Sequence, residues 1–331
     1  MDRLLTIIDS FPQQRLIVVG DIFLDEYLIG QAERLSREAP IPVLAFRQRR
    51  LIPGGGANPA MNAAALGAQV SQVGVVGDDP EAAALRQLLS ESKIGLSGLV
   101  TDPTRPTPVK TRIMATSELR FPQQLARIDK DSRLPLDPAT QAAVLSAVTR
   151  LVADTAPTAI LISDYRAGLL SRPLIMSLRD LARERNLILT ADTQGDLDKY
   201  HNFTLVKCNR GEAELFLQRQ LDTDEEVARA LSELSQRLQV ENVLITRGLA
   251  GLSIGQRHTG IHLPASNRTE VYDVTGAGDT VIAVATLALG AGADPLMAAQ
   301  LANVAAGLVV SKWGNAVVTR AELKAQVSAH P

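Results

Sequence analysis

The sequence predicts an α/β fold: a mostly parallel central sheet with helices on both faces and a small β-strand lid inserted into it. Two observations predict the sheet. Apolar runs of strand length recur through the 331 residues, and most are followed by segments whose apolar residues fall at helical spacing. A further observation predicts the lid: two stretches, 22–53 and 105–129, break this alternation with prolines and short extended segments.

Taken in order, the first ten residues set Asp2, Arg3 and Asp9 around Leu4-Leu5 and Ile7-Ile8, the pattern of a short amphipathic helix and not of a signal-peptide core. Buried strands are predicted at 16–19, 73–76, 159–162, 188–191, 204–206 and 243–245. Helices are predicted at 59–66, 81–92, 139–153, 173–185 and 225–238. Their starts are marked by Thr223 with Glu226 and by Thr319 with Glu322, both spaced as capping boxes, and by Asp294 before Pro295. Pro40, Pro42, Pro106 and Pro108 punctuate the two stretches that interrupt the α/β unit. Those stretches read as inserted antiparallel strands, a lid carried by a single domain covering 1–331. Arg49-Arg50 reads as a solvated strand edge.

At 46% hydrophobic residues the chain can bury one large core or two modest ones. The formal charge of −2, with both signs scattered, excludes a nucleic-acid groove and a basic membrane-binding face, so an anionic ligand must be met by local groups. Cys208 is the single cysteine, which excludes an internal disulfide framework and a cysteine-rich zinc site; it reads as a small buried apolar residue. No apolar run approaches the ~18 residues of a membrane span, and a soluble cytoplasmic protein is expected.

The densest chemistry lies in Asp273-Val274-Thr275-Gly276-Ala277-Gly278-Asp279, between an extended segment at 269–271 and a helix through 281–285. Gly276 and Gly278 let the backbone turn tightly and approach a ligand, and N–H groups at a helix start face an anion. A phosphoryl group in transfer spreads its charge over its oxygens, so such a cradle stabilises it. Asp279, in the first helical turn, can accept the proton of a hydroxyl in line with that group. Gly54-Gly55-Gly56-Ala57-Asn58 is another glycine-rich approach at a helix start, and Asn58 offers a donor and an acceptor to hydroxyls. Asn209-Arg210-Gly211-Glu212 puts an amide and a carboxylate after a strand, where open α/β sheets bind ligands and where oxygen groups can hold hydrated Mg²⁺. Thr246-Arg247-Gly248 and Gly251 follow the next strand with a hydroxyl, a guanidinium and open backbone for phosphates.

Gly55-Gly56-Ala57-Asn58 with Gly67 and Gly77, and the segment 273–283, resemble the two signatures of the ribokinase-like (PfkB-type) carbohydrate kinases. The resemblance runs from Val18-Val19-Gly20-Asp21 to Ala316-Val317-Val318-Thr319. It implies a three-layer α/β/α sandwich whose lid pairs with a second lid into a homodimer, with ATP and Mg²⁺ as cofactors. It also implies that Asp279 is the base and Gly276, Ala277 and Gly278 the anion hole. Asn209 and Glu212 match the family's Asn-x-x-Glu motif for magnesium, bound through water, and phosphate. Asp25, Gly55, Gly56 and Asn58 would meet the sugar, Thr246, Gly248, Gly251 and Thr275 the nucleotide, and Asn303 would lie near adenine. Val284 stands where the general pattern has Ala or Gly, a difference that touches packing.

Within the family the chain is most similar to the heptose-7-phosphate kinases, through the segments 20–27, 38–43 and 123–129 and through Ser163-Asp164-Tyr165. That similarity implies phosphate transfer from ATP to the anomeric hydroxyl of D-glycero-β-D-manno-heptose 7-phosphate, with Asp164 in the substrate set. Lys110, Arg112 and Arg127 lie in the lid stretch and are candidates for the sugar's phosphate. There are departures. Asp192-Thr193-Gln194-Gly195 replaces Asp-Pro-Lys-Gly, Arg166-Ala167 replaces a small residue and a lysine, and Lys207-Cys208 replaces Thr-Pro. Another sugar, sugar phosphate or nucleoside as acceptor, and a non-catalytic sugar or nucleotide sensor, therefore stay open. A Walker loop and a dinucleotide fingerprint are absent from the sequence, and 258–262 reads as an exposed hairpin, not a His-x-Gly-His motif. The short stretch after Thr319 leaves the expectation that a separate adenylyltransferase completes the pathway.

Overall fold

The structure, a computed structural model, describes every residue except Met1, Glu118, Leu119, Arg133, Arg257, His258, 268–273, Trp313, Asn315, His330 and Pro331, together with the side chains of Ser117, Arg120, Phe121, Gln256 and Thr259. Asp273 and the extended segment expected at 269–271 lie outside the described residues, as does the hairpin tip at His258.

The chain opens with α1 (Asp2–Asp9), β1 (Arg15–Gly20), β2 (Ile22–Leu35), β3 (Pro42–Gly55) and α2 (Ala57–Ala65). Next come β4 (Gln69–Val76), α3 (Pro80–Glu91), β5 (Gly95–Thr101), β6 (Val109–Ser117), β7 (Arg120–Lys130) and α4 (Pro138–Thr155). The alternation continues with β8 (Ala159–Asp164), α5 (Arg172–Glu184), β9 (Ile188–Thr193), β10 (Leu205–Asn209), α6 (Arg210–Leu217) and α7 (Asp224–Leu238). The last elements are β11 (Asn242–Thr246), β12 (Leu252–Gln256), β13 (Thr259–Leu263), α8 (Ala277–Gly290), α9 (Pro295–Val309) and α10 (Arg320–Ala329).

Among the described residues nine strands form one sheet, in the order β13-β12-β11-β10-β9-β8-β1-β4-β5. Pairing is parallel from β11 through β5, and the β12–β13 hairpin closes one edge antiparallel. The strands are apolar on both faces because both are covered. In β1 alone, Leu16 and Val18 pack with α1, α2, α8, α9 and α10, whereas Ile17 and Val19 pack with α4, α5, α6 and α7. Helix starts follow the local signals. Thr223 and Glu226 form a reciprocal capping box at α7, and Asp294 accepts the Met297 N–H at 2.9 Å. Thr319 and Glu322 bond reciprocally before α10, at 2.8 and 3.3 Å.

β3-β2-β6-β7 form a second, four-stranded sheet over the carboxyl edge of the first. Its strands cover the two stretches expected as a lid, with one correction: β2 and β6 pair in parallel, and only the β2–β3 and β6–β7 pairs are antiparallel. The reason is topological. β2 follows β1 after one residue and β6 follows β5, and since β1, β4 and β5 run in parallel, both lid strands leave the main sheet from the same edge. Arg49 lies on the outer strand β3 and pairs with Glu26.

Candidate active site

On one side of β1 the sheet continues to β4 and on the other to β8, so the strand order reverses there; in open α/β sheets ligands collect at such a point, outside the carboxyl ends. Four strand ends deliver ionisable side chains to it: Asp21 after β1, Tyr165 after β8, Asp192 in β9 and Lys207 in β10. α8 starts over them. Gly276 precedes it with φ +78°, a left-handed conformation that a Cβ would oppose, and the first N–H of the helix, that of Ala277, bonds back to the Val274 carbonyl at 3.3 Å.

Asp279 is only 5% exposed. Its carboxylate accepts the Tyr165 hydroxyl at 3.0 and 2.9 Å and the Asn58 amide at 2.8 Å. Burial, and then the charge of Asp192, push its pKa up from the ordinary 3.8 to about 7, against the pull of Lys207, Tyr165 and Asn58. Asn58 lies inside α2, not ahead of it, and its Oδ1 accepts from Asn62 at 3.1 Å. One N–H of its amide is therefore directed at the carboxylate, in addition to the sugar hydroxyls that the sequence suggested for it.

Lys207 is buried, and its Nζ donates to both oxygens of Asp192 at 2.8 Å. Burial works against its charge, but Asp192 outweighs it and the ammonium persists. A Cβ on Gly278 would stand 2.7 Å from this Nζ, so the cation lies directly against the glycine turn.

Two cavities flank this centre. One, of about 480 Å³, is lined by Lys207, Asn209, Thr246, Gly248, Gly251, Ala277, Gly278 and Asn303, with Leu249, Leu252, Val281 and Val310 as apolar wall. It is of ligand size and gathers most of the residues predicted for a nucleotide. Gly251, at φ +89°, could carry no side chain, since a Cβ would lie 2.1 Å from the Leu263 carbonyl oxygen. Asn303 holds the rim by donating to the Pro264 carbonyl at 2.7 Å. Thr275 is exposed and does not line this cavity. Asn209 and Glu212 cap α6 reciprocally: Asn209 Oδ1 accepts the Glu212 N–H at 2.9 Å, and Glu212 accepts the Asn209 N–H at 2.6 Å.

The second cavity, of about 700 Å³, lies under the lid and is lined by Phe23, Tyr165 and Gln194, by the cations Lys110, Arg127 and Arg166, and by the carboxylates Asp129 and Asp131. Lys110 stands 3.7 Å from the centre of the Phe23 ring, whose plane meets Tyr165 edge-on, and burial lowers the lysine's pKa. Arg127 is paired with Asp129 at 2.8 Å. Arg112 is paired with buried Asp25, above Gly54-Gly55, where a Cβ on Gly54 would fall 2.3 Å from the Asp25 carboxylate. Gly56 packs its backbone against Gly20. Asp164 faces away from Asp279: its oxygens accept from Lys199 at 2.9 Å, from the Tyr200 hydroxyl at 2.5 Å and from the Arg166 N–H at 2.8 Å.

Sequence reasoning singled out neither Tyr165, Lys207 and Asp192 nor Asp21 as site residues. A signal existed for two of them, since Asp192 and Lys207 are charged residues directly after the apolar runs 188–191 and 204–206, and buried charges are paired or functional.

The fold is one shared with sugar kinases of known structure. Ribokinase from Arabidopsis thaliana, solved with ribose and ATP, superposes with a TM-score of 0.73 at 17% identity, covering 95% of this chain and 98% of that one. Phosphofructokinase-2 from Escherichia coli, solved with substrates and products, gives 0.77 at 16% identity, covering 96% and 98%. In sequence, residues 13–320 match the pfkB family of carbohydrate kinases, and the chain belongs to that family. It is 39% identical to the bifunctional protein HldE of Syntrophotalea carbinolica, over 100% of this chain and 66% of that protein. With HldE of Rhodospirillum rubrum the identity is 38%, over 97% and 64%. The chain thus spans somewhat under two thirds of the length of these relatives.

Proposed function

We propose that the chain is an ATP-dependent kinase that phosphorylates the anomeric hydroxyl of D-glycero-β-D-manno-heptose 7-phosphate, with Asp279 as base. The observation that carries this reading is the position of Asp279: a buried carboxylate in the first turn of α8, beside the Gly276-Ala277-Gly278 turn and between a nucleotide-sized cavity and one lined by Lys110, Arg127 and Arg166 with Asp129 and Asp131.

With ATP in the first cavity, its γ-phosphate meets the N–H groups of the glycine turn and the ammonium of Lys207. The acceptor hydroxyl gives its proton to Asp279 as its oxygen bonds to the γ-phosphorus. The bond from that phosphorus to the β–γ bridging oxygen breaks, and ADP leaves. Asn209 and Glu212 offer only oxygen ligands, a set that suits hydrated Mg²⁺; the capping box orients both without using Glu212's second oxygen. When bound, the ion would neutralise phosphate charge.

Lys110, Arg127 and Arg166 around the second cavity support a phosphorylated acceptor. They favour it over a nucleoside, because Lys110 already lies over the Phe23 ring that lines this cavity. Exposed Leu35, Phe46, Leu125 and Ile128 on the lid strands support a homodimer formed lid to lid. The reading treats the lid and the main sheet as one catalytic domain. Among the described residues no helix is long and apolar enough to cross a membrane, and the use of ATP supports a cytoplasmic location.

The test is ATP consumption with Mg²⁺ by the wild type and Asp279→Asn across heptose 7-phosphate, hexose phosphates, free sugars and nucleosides. Turnover of heptose 7-phosphate that the substitution abolishes is expected. Turnover confined to another acceptor overturns the substrate, and undiminished turnover by Asp279→Asn overturns the base.

A further inference from the structure

The Tyr165 hydroxyl lies within hydrogen-bond distance of both oxygens of Asp279, at 3.0 and 2.9 Å. Burial, and then the charge of Asp279, hold the phenol protonated far above its ordinary range, so towards this carboxylate it can only donate. Such a donation favours the ionised carboxylate, the form that takes a proton.

Its position is fixed from elsewhere in the fold. Tyr165 begins the loop after β8, and buried Asp21 accepts three of that loop's N–H groups, those of Tyr165 at 3.1 Å, Ala167 at 3.0 Å and Leu169 at 3.2 Å, while Asp164 accepts that of Arg166 at 2.8 Å. The backbone of Asp21 is itself clamped, donating to the Ser163 carbonyl at 3.3 Å and accepting from Gly56 at 2.8 Å. Phe23, arriving on β2, braces the tyrosine ring edge to face at 5.6 Å between centres. A side chain 144 residues before Tyr165 thus anchors the loop that aims the phenol.

We propose that Tyr165 is a further catalytic residue, which donates to Asp279 and keeps it ionised and oriented for the acceptor's proton, and that Asp21 is a positioning residue acting through the loop. The proposal rests on the reading of Asp279 as base. The other groups facing Asp279 are Asp192 from β9, Lys207 from β10 and the neutral Asn58 from α2, while Tyr165 also faces Asp25 and the more distant Lys110. None of these is altered by exchanging the phenol for a phenyl ring.

The experiment is the pH dependence of kcat for the wild type, Tyr165→Phe, Asp21→Asn and the double variant, with Asp279→Asn as reference and MgATP plus the acceptor identified by the panel. Loss of a hydrogen bond to the charged form moves the acid limb of Tyr165→Phe up by about one pH unit, which lowers kcat at pH 7 about fivefold. Asp21→Asn moves the limb the same way, and the double variant moves it no further than the larger single shift. An acid limb in Tyr165→Phe that coincides with the wild type, while Asp279→Asn is inactive, overturns this inference alone. Fully independent shifts in the double variant overturn the role of Asp21. An active Asp279→Asn overturns the underlying reading, and this inference with it. Tyr165→Phe removes one oxygen and keeps the ring packing, so the test stands even if Asp21→Asn does not fold.

Discussion

Exchanging Gly278 for alanine adds one methyl group at the point where the glycine turn meets Lys207. The backbone there is outside the left-handed region, so alanine is conformationally acceptable and the effect reduces to the methyl itself. Its carbon would lie 2.7 Å from Lys207 Nζ and 3.8 Å from an Asp192 oxygen. An unstrained contact needs roughly 3.5–4 Å, so the ammonium must retreat by about 1 Å. A lysine tip usually moves freely, but this one is buried and held to Asp192 by two bonds of 2.8 Å. A retreat of ~1 Å away from the methyl runs nearly at right angles to the line from Nζ to the Asp192 oxygen, so the ion pair survives while the ammonium leaves its place beside the turn. Displacing one preorganised cation from a transferring phosphoryl group costs about 10²–10³ in kcat. The expected outcome for Gly278→Ala is therefore a fall in kcat of about 100-fold with a small change in the acceptor KM, measured by coupled ADP release, and the variant combined with Lys207→Met should be no slower than Lys207→Met alone. A kcat within about threefold of the wild type would refute the claim that Lys207 is confined against the turn.

Three other expectations follow from the same geometry. Because burial raises the pKa of Asp279 to about 7 and the base must be ionised, kcat should climb with pH and level off above that value; a profile flat from pH 5.5 upwards would contradict it. Gly251→Ala forces a methyl to within 2.1 Å of the Leu263 oxygen at φ +89°, so thermal unfolding should show a loss of about 1–3 kcal/mol, with a raised KM for ATP. Lys110→Ala should raise the KM for a phosphorylated acceptor about tenfold or more and leave that for its unphosphorylated counterpart within about twofold, since the lysine lines the second cavity over the Phe23 ring.

Much of this could be read along the chain. Alternation of apolar runs with helical patterns gave the parallel sheet, because a strand buried on both faces must be apolar throughout and the helix that returns to it must be amphipathic. Thr223 with Glu226, and Asp294 with Pro295, are read reliably since a cap bonds within one turn of itself. The glycine turn before Asp279 is legible for the same reason: backbone freedom and helix-start N–H groups are properties of neighbouring residues. Lid strand direction was not legible, for alternation is identical in parallel and antiparallel pairs; where the strands leave the main sheet decides it. Nor was the setting of Asp279, the proposed base. Asn58 lies 221 residues from Asp279 and Tyr165 lies 114 away, and the pairing of Lys207 with Asp192 joins two strands whose residues meet only when the sheet forms. The sequence by itself determined the fold class and the placement of the helices to within a residue or two, and marked Asp279 as the candidate base, all of which depend on local pattern. Tertiary structure alone decided what surrounds that carboxylate, because burial and the distance between charges are set by which strand ends the sheet order brings side by side.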